Sequence, residues 1–219
     1  MEKAPQRQAM ESVLSQYRNK VVLAIGAHPD DLELGVGGTL ARLVEQGSRV
    51  VMVIVCVPNH LESRVAEAKK AAAVLGCEIR FLFVEREMRV EDIKTYELVD
   101  YLDKLVRDYD PAAVLSHAES NFHKDHVLVH NACLSAQRLH FFDFFCYYPI
   151  SCHPITTPFH PQAYVDISNY IDRKMEAIHQ HTTQFTCRGL STDIYRDMAK
   201  QYGRLAGVEY AEGLEVVRL

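Results

Sequence analysis

The chain has 219 residues, a formal charge of −5 at pH 7 and 48% hydrophobic residues, enough apolar side chain to close a core as one large domain rather than two small ones. The charge is spread along the chain and leaves no basic stripe to follow a phosphate backbone, which argues against nucleic acid as a partner. The longest apolar run, Val50 to Val57, is far short of the roughly 20 residues that a membrane span needs, and the start MEKAPQRQ lacks an apolar signal core, so no membrane partner and a cytoplasmic location are expected.

Residues 1–19 have helical composition and read as a leading helix on a single domain of 219 residues. Lys20 to Gly26 is a continuous apolar run with β-branched residues, as in a strand covered on both faces. It leads into AIGAHPDDLELGVGGTL, and Glu33 to Gln46 then reads as a helix stopped by Gly47. Arg49 to Val57 repeats the strand pattern, His60 to Leu75 is helical up to Gly76, and Glu78 to Val84 makes a third strand. Lys94 to Tyr109 is helical, and a fourth strand at Ala112 to Ser116 runs into HAESNFHKDH.

Further on, the pattern predicts a helix over His126 to His140, an aromatic strand over Phe141 to Tyr148 and an irregular proline-rich loop over Pro149 to Gln162. A short strand at Ala163 to Ile167, a helix from Ser168 to Thr182 capped by Ser168, a helix over Thr192 to Leu205 and a final edge strand over Leu214 to Leu219 complete the chain. Strands alternating with helices predict an α/β fold of Rossmann-like, doubly wound type, with a mostly parallel sheet in three layers. The six cysteines form no C-x-x-C pair and read as reduced and packed.

Two strand ends carry the chemistry. Glycines after a strand suggest a dinucleotide site, but Asp30 and Asp31 stand where a pyrophosphate needs bare amides, and Gly35, Gly37 and Gly38 miss the G-x-G-x-x-G spacing. Their expected use is close helix-to-strand approach and room beside a ligand. His28 and Asp31 can turn an imidazole and a carboxylate toward one point, and His123, Lys124, Asp125 and His126 supply a second cluster. Imidazole and carboxylate together suit a borderline cation such as zinc, with an open position for hydrolytic chemistry.

Together, AHPDD at 27–31, its continuation LELGVGGTLARL and the H-x-D-H at 123–126 resemble the LmbE-like (PIG-L) N-acetylglucosaminyl deacetylases, zinc amidases of N-acetylated sugars. Arg64 and Glu67 in ESRVAEAKKAAAVLG, the segment VDISNYIDRKMEAIHQHTTQ and GVEYAEGLEV are similar to the family in the same order, so the resemblance spans residues 20–219. The family pattern often has glutamate directly after the paired aspartates; here Leu32 stands there and Glu33 follows.

By position, the resemblance implies His28, Asp31 and His126 as ligands of Zn2+ or another divalent transition metal, and Asp30 as general base. His123, held by Asp125, is expected to serve the oxyanion as an imidazolium. Arg64 is implied as a substrate contact, with Asn121 and His153 near the same mouth, while His160, His181 and Gln184 are left between structural and substrate-facing roles. The implied reaction removes the acetyl group from an N-acetylated amino sugar of a small-molecule conjugate. The alternatives are a zinc amidase of a non-sugar acyl amide and a non-catalytic sugar-binding protein of the same fold. The aglycone and the oligomeric state, a homo-oligomer included, are left open.

Overall fold

The computed structural model describes residues 14–149 and 159–219; most of the expected leading helix and the centre of the proline-rich loop, with His153 and Cys152, lie outside them. Seven strands form one sheet: β1 (Val21–Gly26), β2 (Arg49–Cys56), β3 (Glu78–Phe83), β4 (Ala113–His117), β5 (Asp143–Tyr147), β6 (Ala163–Asp166) and β7 (Ala211–Arg218), in the order β3-β2-β1-β4-β5-β7-β6. The five strands β3 to β5 are parallel, and β7 pairs antiparallel with both β5 and β6. The expected edge strand is therefore internal, and β6 takes the edge. Glu215 and Arg218 on β7 are accordingly half-buried.

Helices α1 (Asp31–Glu45), α2 (Leu61–Leu75), α5 (Ile171–His179) and α6 (Asp193–Ala206) contribute to the core on one face of the sheet; α3 (Thr95–Tyr109) and α4 (Lys124–Ala136) contribute to the other. On β1 the alternation is explicit: Val22 and Ala24 pack into the first core, Leu23 and Ile25 into the second. A strand buried on both faces has no polar position to spare, which is why KVVLAIG reads as an unbroken apolar run. Helices α1 and α4 start two positions earlier than the apolar pattern suggests, because their first turns are occupied by acidic and basic side chains that belong to the site. Helix α5 is shorter than expected and Ser168 does not cap it. The Ser168 hydroxyl instead donates to Asp166 Oδ1 at 2.6 Å, closing a turn ahead of the helix.

The chain starts in the middle of the sheet, runs outward through β2 and β3, and returns to lay β4 on the other side of β1. The carboxyl ends of β1 and β4 therefore flank the point where strand order reverses, the crevice where open α/β sheets receive ligands.

Helix α1, which leaves that crevice, is broken at Val36 (φ −139°, ψ 15°). A buried ion pair spans the break. Lys174 Nζ donates to the Leu34 carbonyl at 2.9 Å on one side, while Glu212 accepts from the Gly38 and Thr39 amides at 3.0 and 2.6 Å on the other. Lys174 and Glu212 themselves meet at 2.5 Å and are almost wholly buried. The pair thus replaces helical hydrogen bonds that the break removes, and it fixes the direction in which the first turn presents its acids. Gly35 and Gly38 lie flush against Tyr147 and Ile167, where a Cβ would collide. The glycines serve packing; the expected room beside a ligand is not among their uses, since none of them lines the cavity at the crevice.

Candidate metal and catalytic site

Past the end of β1 the chain turns sharply at Asp30, whose φ of 98° is rare for a residue with a side chain. That turn puts Asp30 and Asp31 at the head of α1. Asp31 Oδ2 accepts from the His28 amide at 2.8 Å, which folds the motif back on itself and brings the His28 ring beside the same carboxylate. From the end of β4, Asn121 Oδ1 accepts from the His123 amide at 2.9 Å, and His123 Nδ1 accepts from the Asp125 amide at 3.2 Å as the N-cap of α4. The first turn of α4 then delivers Asp125 and His126 toward β1.

Three donor groups converge from the two strand ends. His28, Asp31 and His126 each offer a ligand atom within 4.8 Å of the others, and all three are buried. His126 Nε2 lies 3.2 Å from Asp31 Oδ1, and His28 Nδ1 lies 3.8 Å from Asp31 Oδ2. Burial opposes ionisation of Asp31, yet the His126 imidazole beside it holds its carboxyl well below the usual carboxylate range. A buried carboxylate between imidazoles, with no lysine or arginine bonded to it among the described residues, suits a cation in the gap. Two nitrogens and one oxygen are a donor set that zinc and similar metals accept.

Asp125 departs from its expected place. Its carboxylate does not hold His123; Oδ2 sits 2.9 Å from His28 Nε2 and also accepts from the Val90 amide at 3.0 Å, while Oδ1 accepts from the Glu91 amide at 3.2 Å. Burial opposes its ionisation, but the His28 and backbone hydrogen bonds keep its pKa low. An anion on Nε2 fixes His28 with its proton on that nitrogen and leaves Nδ1 free to ligate, the usual carboxylate–imidazole–metal arrangement. Burial, together with His126 and His28, lowers the pKa of His123. Since its Nδ1 accepts a backbone hydrogen bond, the neutral ring carries its proton on Nε2.

Asp30 stands beside the cluster without joining it. Burial pushes its carboxyl up to about 6; Arg64 pulls the other way and the neighbouring Asp31 adds to the rise. Arg64 is itself buried, donating to the Pro29 carbonyl at 2.7 Å, to Asn59 at 3.3 Å and to Asp30 Oδ1 at 3.4 Å. Its terminal nitrogens are thus engaged with the turn that carries Asp30, and it lines the cavity from behind that turn.

Two buried histidines complete the surroundings. His117, the last residue of β4, accepts the Ala27 amide on Nε2 at 2.9 Å and stacks on His126 with ring centroids 3.9 Å apart. Burial lowers its pKa to about 3, so it is a neutral wall. The available signal for it was its place one residue beyond an apolar strand and directly ahead of the second motif. His181 lies 3.2 Å from Glu33, both fully buried; burial opposes its charge, but Glu33 raises its pKa. Thr182 and Thr183 tie the same segment to Glu67. Glu33 and His181 therefore anchor the cavity wall that carries Gln184, away from the gap between His28, Asp31 and His126.

A cavity of about 340 Å³ opens over this floor, lined by the cluster, Asp30, Arg64, Asn121 and Gln184. Phe122 stands half exposed at its mouth. His160 is exposed and its amide binds Glu215; it does not line the cavity. Among the described residues Cys56, Cys133 and Cys146 are buried, Cys77 is half-buried and Cys187 exposed. No helix among the described residues is long and apolar enough to cross a membrane.

Residues 23–137 match the family model described as GlcNAc-PI de-N-acetylase, PIG-L. The chain is 27% identical over 228 aligned positions to the diacetylchitobiose deacetylase of Thermococcus kodakarensis, covering 90% of this chain and 83% of that one. Among solved structures it resembles the conserved protein TT1542 of Thermus thermophilus, with a TM-score of 0.75, 27% identity, and coverage of 88% and 92%. The 4-carboxy-2-hydroxymuconate hydratase GalB of Pseudomonas putida KT2440 shares the fold at a TM-score of 0.77 and 22% identity, over 91% and 97% of the two chains. The same fold thus carries a hydratase as well as deacetylases, and the reaction has to be argued from the site.

Proposed function

The chain belongs to the PIG-L family of de-N-acetylases, and on that premise we propose that it is a zinc-dependent hydrolase that removes the acetyl group from an N-acetylglucosaminyl-type substrate as a single-domain enzyme. The observation that carries the reading is the convergence of His28, Asp31 and His126 with Asp30 beside them but outside the donor set. A metal-binding module has no use for the fourth, differently held acid; a hydrolase does.

In this reading His28, Asp31 and His126 would hold the metal, which would supply Lewis acidity for the acetamide carbonyl and the attacking water. Asp30 takes the proton from that water. Its carboxyl, raised to about 6 by burial, is ionised at neutral pH and still basic enough to be a useful acceptor. Arg64 keeps the carboxylate aimed by holding both Asp30 and the Pro29 carbonyl. His123, neutral and protonated on Nε2, donates a hydrogen bond to the developing oxyanion rather than a full charge. Asp30 then passes its proton to the leaving amine, since a neutral His123 has none to spare. Asp125 acts through His28.

The test is acetate release from a panel of N-acetylglucosaminides, N,N'-diacetylchitobiose included, alongside simple acyl amides. Release from the glycosides above the simple amides supports the reading. Release from the amides alone moves the protein to a non-sugar amidase, and no release from either, with the metal bound, removes the hydrolase.

A further inference from the structure

The two imidazoles of the donor set are oriented by different means. His28 is held by a hydrogen bond, with Asp125 Oδ2 2.9 Å from its Nε2. His126 has no such bond: its Nδ1 is buried and without a hydrogen-bond partner among the described residues. A ligating imidazole normally gives its second nitrogen to a carboxylate, a carbonyl or water, and that bond sets the ring plane. What lies flat against the His126 ring is aromatic instead. It stacks on His117 with centroids 3.9 Å and planes 9° apart, and on His123 at 4.6 Å and 18°.

His117 also grips the other half of the site. Its Nε2 accepts from the Ala27 amide at 2.9 Å, and Asp31 Oδ2 accepts from the next amide, that of His28, at 2.8 Å. The two acceptors lie 3.3 Å apart, so successive amides of the first motif are clamped by one residue from β4 and one from α1. The ring itself is fixed from behind. Its carbonyl accepts from His130 Nδ1 at 2.8 Å, and Tyr147, whose hydroxyl donates to the Ile25 carbonyl at 3.0 Å, packs on it with centroids 4.9 Å apart. Accepting on Nε2 puts the His117 proton on Nδ1, which is buried without a partner among the described residues. An unpaired buried donor costs stability, so packing alone would favour an apolar side chain at this position.

We propose that His117 is a positioning residue of the metal site: its face sets the plane of His126, and its Nε2 holds the backbone that presents His28. This role presupposes the metal-binding part of the deacetylase reading and goes beyond it, since His117 stands outside the donor set of His28, Asp31 and His126 and acts through all three.

The experiment titrates metal-free wild type and variants with Zn2+ against a competing chelator, and records the visible spectrum of each protein loaded with Co2+. His117→Leu, which removes both contacts, should weaken Zn2+ about ten- to a hundredfold, the scale of losing a group that orients a ligand, and should change the position and intensity of the Co2+ bands. His117→Gln, whose amide oxygen reaches the place of Nε2, and His117→Phe, which keeps a ring against His126, should each recover part of the affinity. Should the Leu variant fail to fold, the Gln and Phe variants decide, each expected to bind Zn2+ more weakly than wild type and more tightly than His126→Ala. Wild-type affinity and spectrum in the Leu variant, or in both the Gln and Phe variants, overturn the proposal whatever happens to thermal stability, because a residue that only fills the core would move stability and leave the ligand field unchanged. A wild type that binds neither Zn2+ nor Co2+ would instead sink the metal reading, and the role of His117 with it.

Discussion

Replacing Asp30 by Asn should make the metal-free protein more stable and the enzyme nearly inactive. Burial raises the folded-state pKa of Asp30 from 3.8 to about 6, and at 1.36 kcal/mol per unit a shift of about two units amounts to about 3 kcal/mol. The side chain keeps 15% of its surface in solvent, so about 2 kcal/mol is the expected gain once screening is allowed for. The sign follows from linkage: a carboxyl raised on folding costs nothing well below its unfolded pKa, and its cost grows as pH climbs from there to the folded value and is constant above it. Asn suits the test because it tolerates the positive φ of 98° at this position and still offers Arg64 an acceptor. Urea denaturation of metal-free wild type and variant at about pH 3, 6 and 8 should show no difference at the lowest pH and a gain of about 2 kcal/mol at the highest. A gain equal at all three values, or a loss at pH 8, would refute the assignment of Asp30 as an acid ionised against its surroundings. Turnover in the same variant should fall by at least about a hundredfold.

Three further outcomes are expected. Asp125→Asn should weaken zinc binding by about ten- to a hundredfold, because His28 loses the anion that orients it; unchanged affinity in a metal titration would return Asp125 to His123. Glu212→Gln should destabilise the fold by about 3–5 kcal/mol by leaving Lys174 charged and unpaired in the core, and a loss below about 1 kcal/mol in denaturant would show that the ion pair does not hold the break in α1. The acid limb of kcat/KM should follow Asp30, with activity lost as pH falls through about 6; a profile flat down to about pH 4.5 would exclude it as the base.

Much of this architecture is visible in the residues. KVVLAIG and RVVMVIVCV read as buried strands because both faces of β1 and β2 are covered, and the two charged motifs fall at strand ends that the topology brings together. What escaped was set by contacts distant along the chain. Asp125 lies two residues from His123 but 97 from His28, the partner that its side chain reaches. Spacing along one segment cannot reveal that choice. His117 was hidden by a strand one residue longer than its apolar run. Lys174 looks like an ordinary charge on an amphipathic helix and Glu212 falls ahead of the expected final strand, until the break at Val36 leaves backbone groups for them to bond. Insertion of β7 between β5 and β6 was likewise invisible, because an antiparallel partner can join either side of a short strand.

The central claim is that His28, Asp31 and His126 hold the metal on which hydrolysis depends. Acetate release from an N-acetylglucosaminide, measured on protein stripped by a chelator and then titrated with zinc, tests it most directly. Activity should vanish on stripping, return at one equivalent of zinc, and fail to return in His126→Ala. Full turnover by stripped protein, or a His126→Ala variant that still binds a full equivalent and recovers its rate, would contradict it.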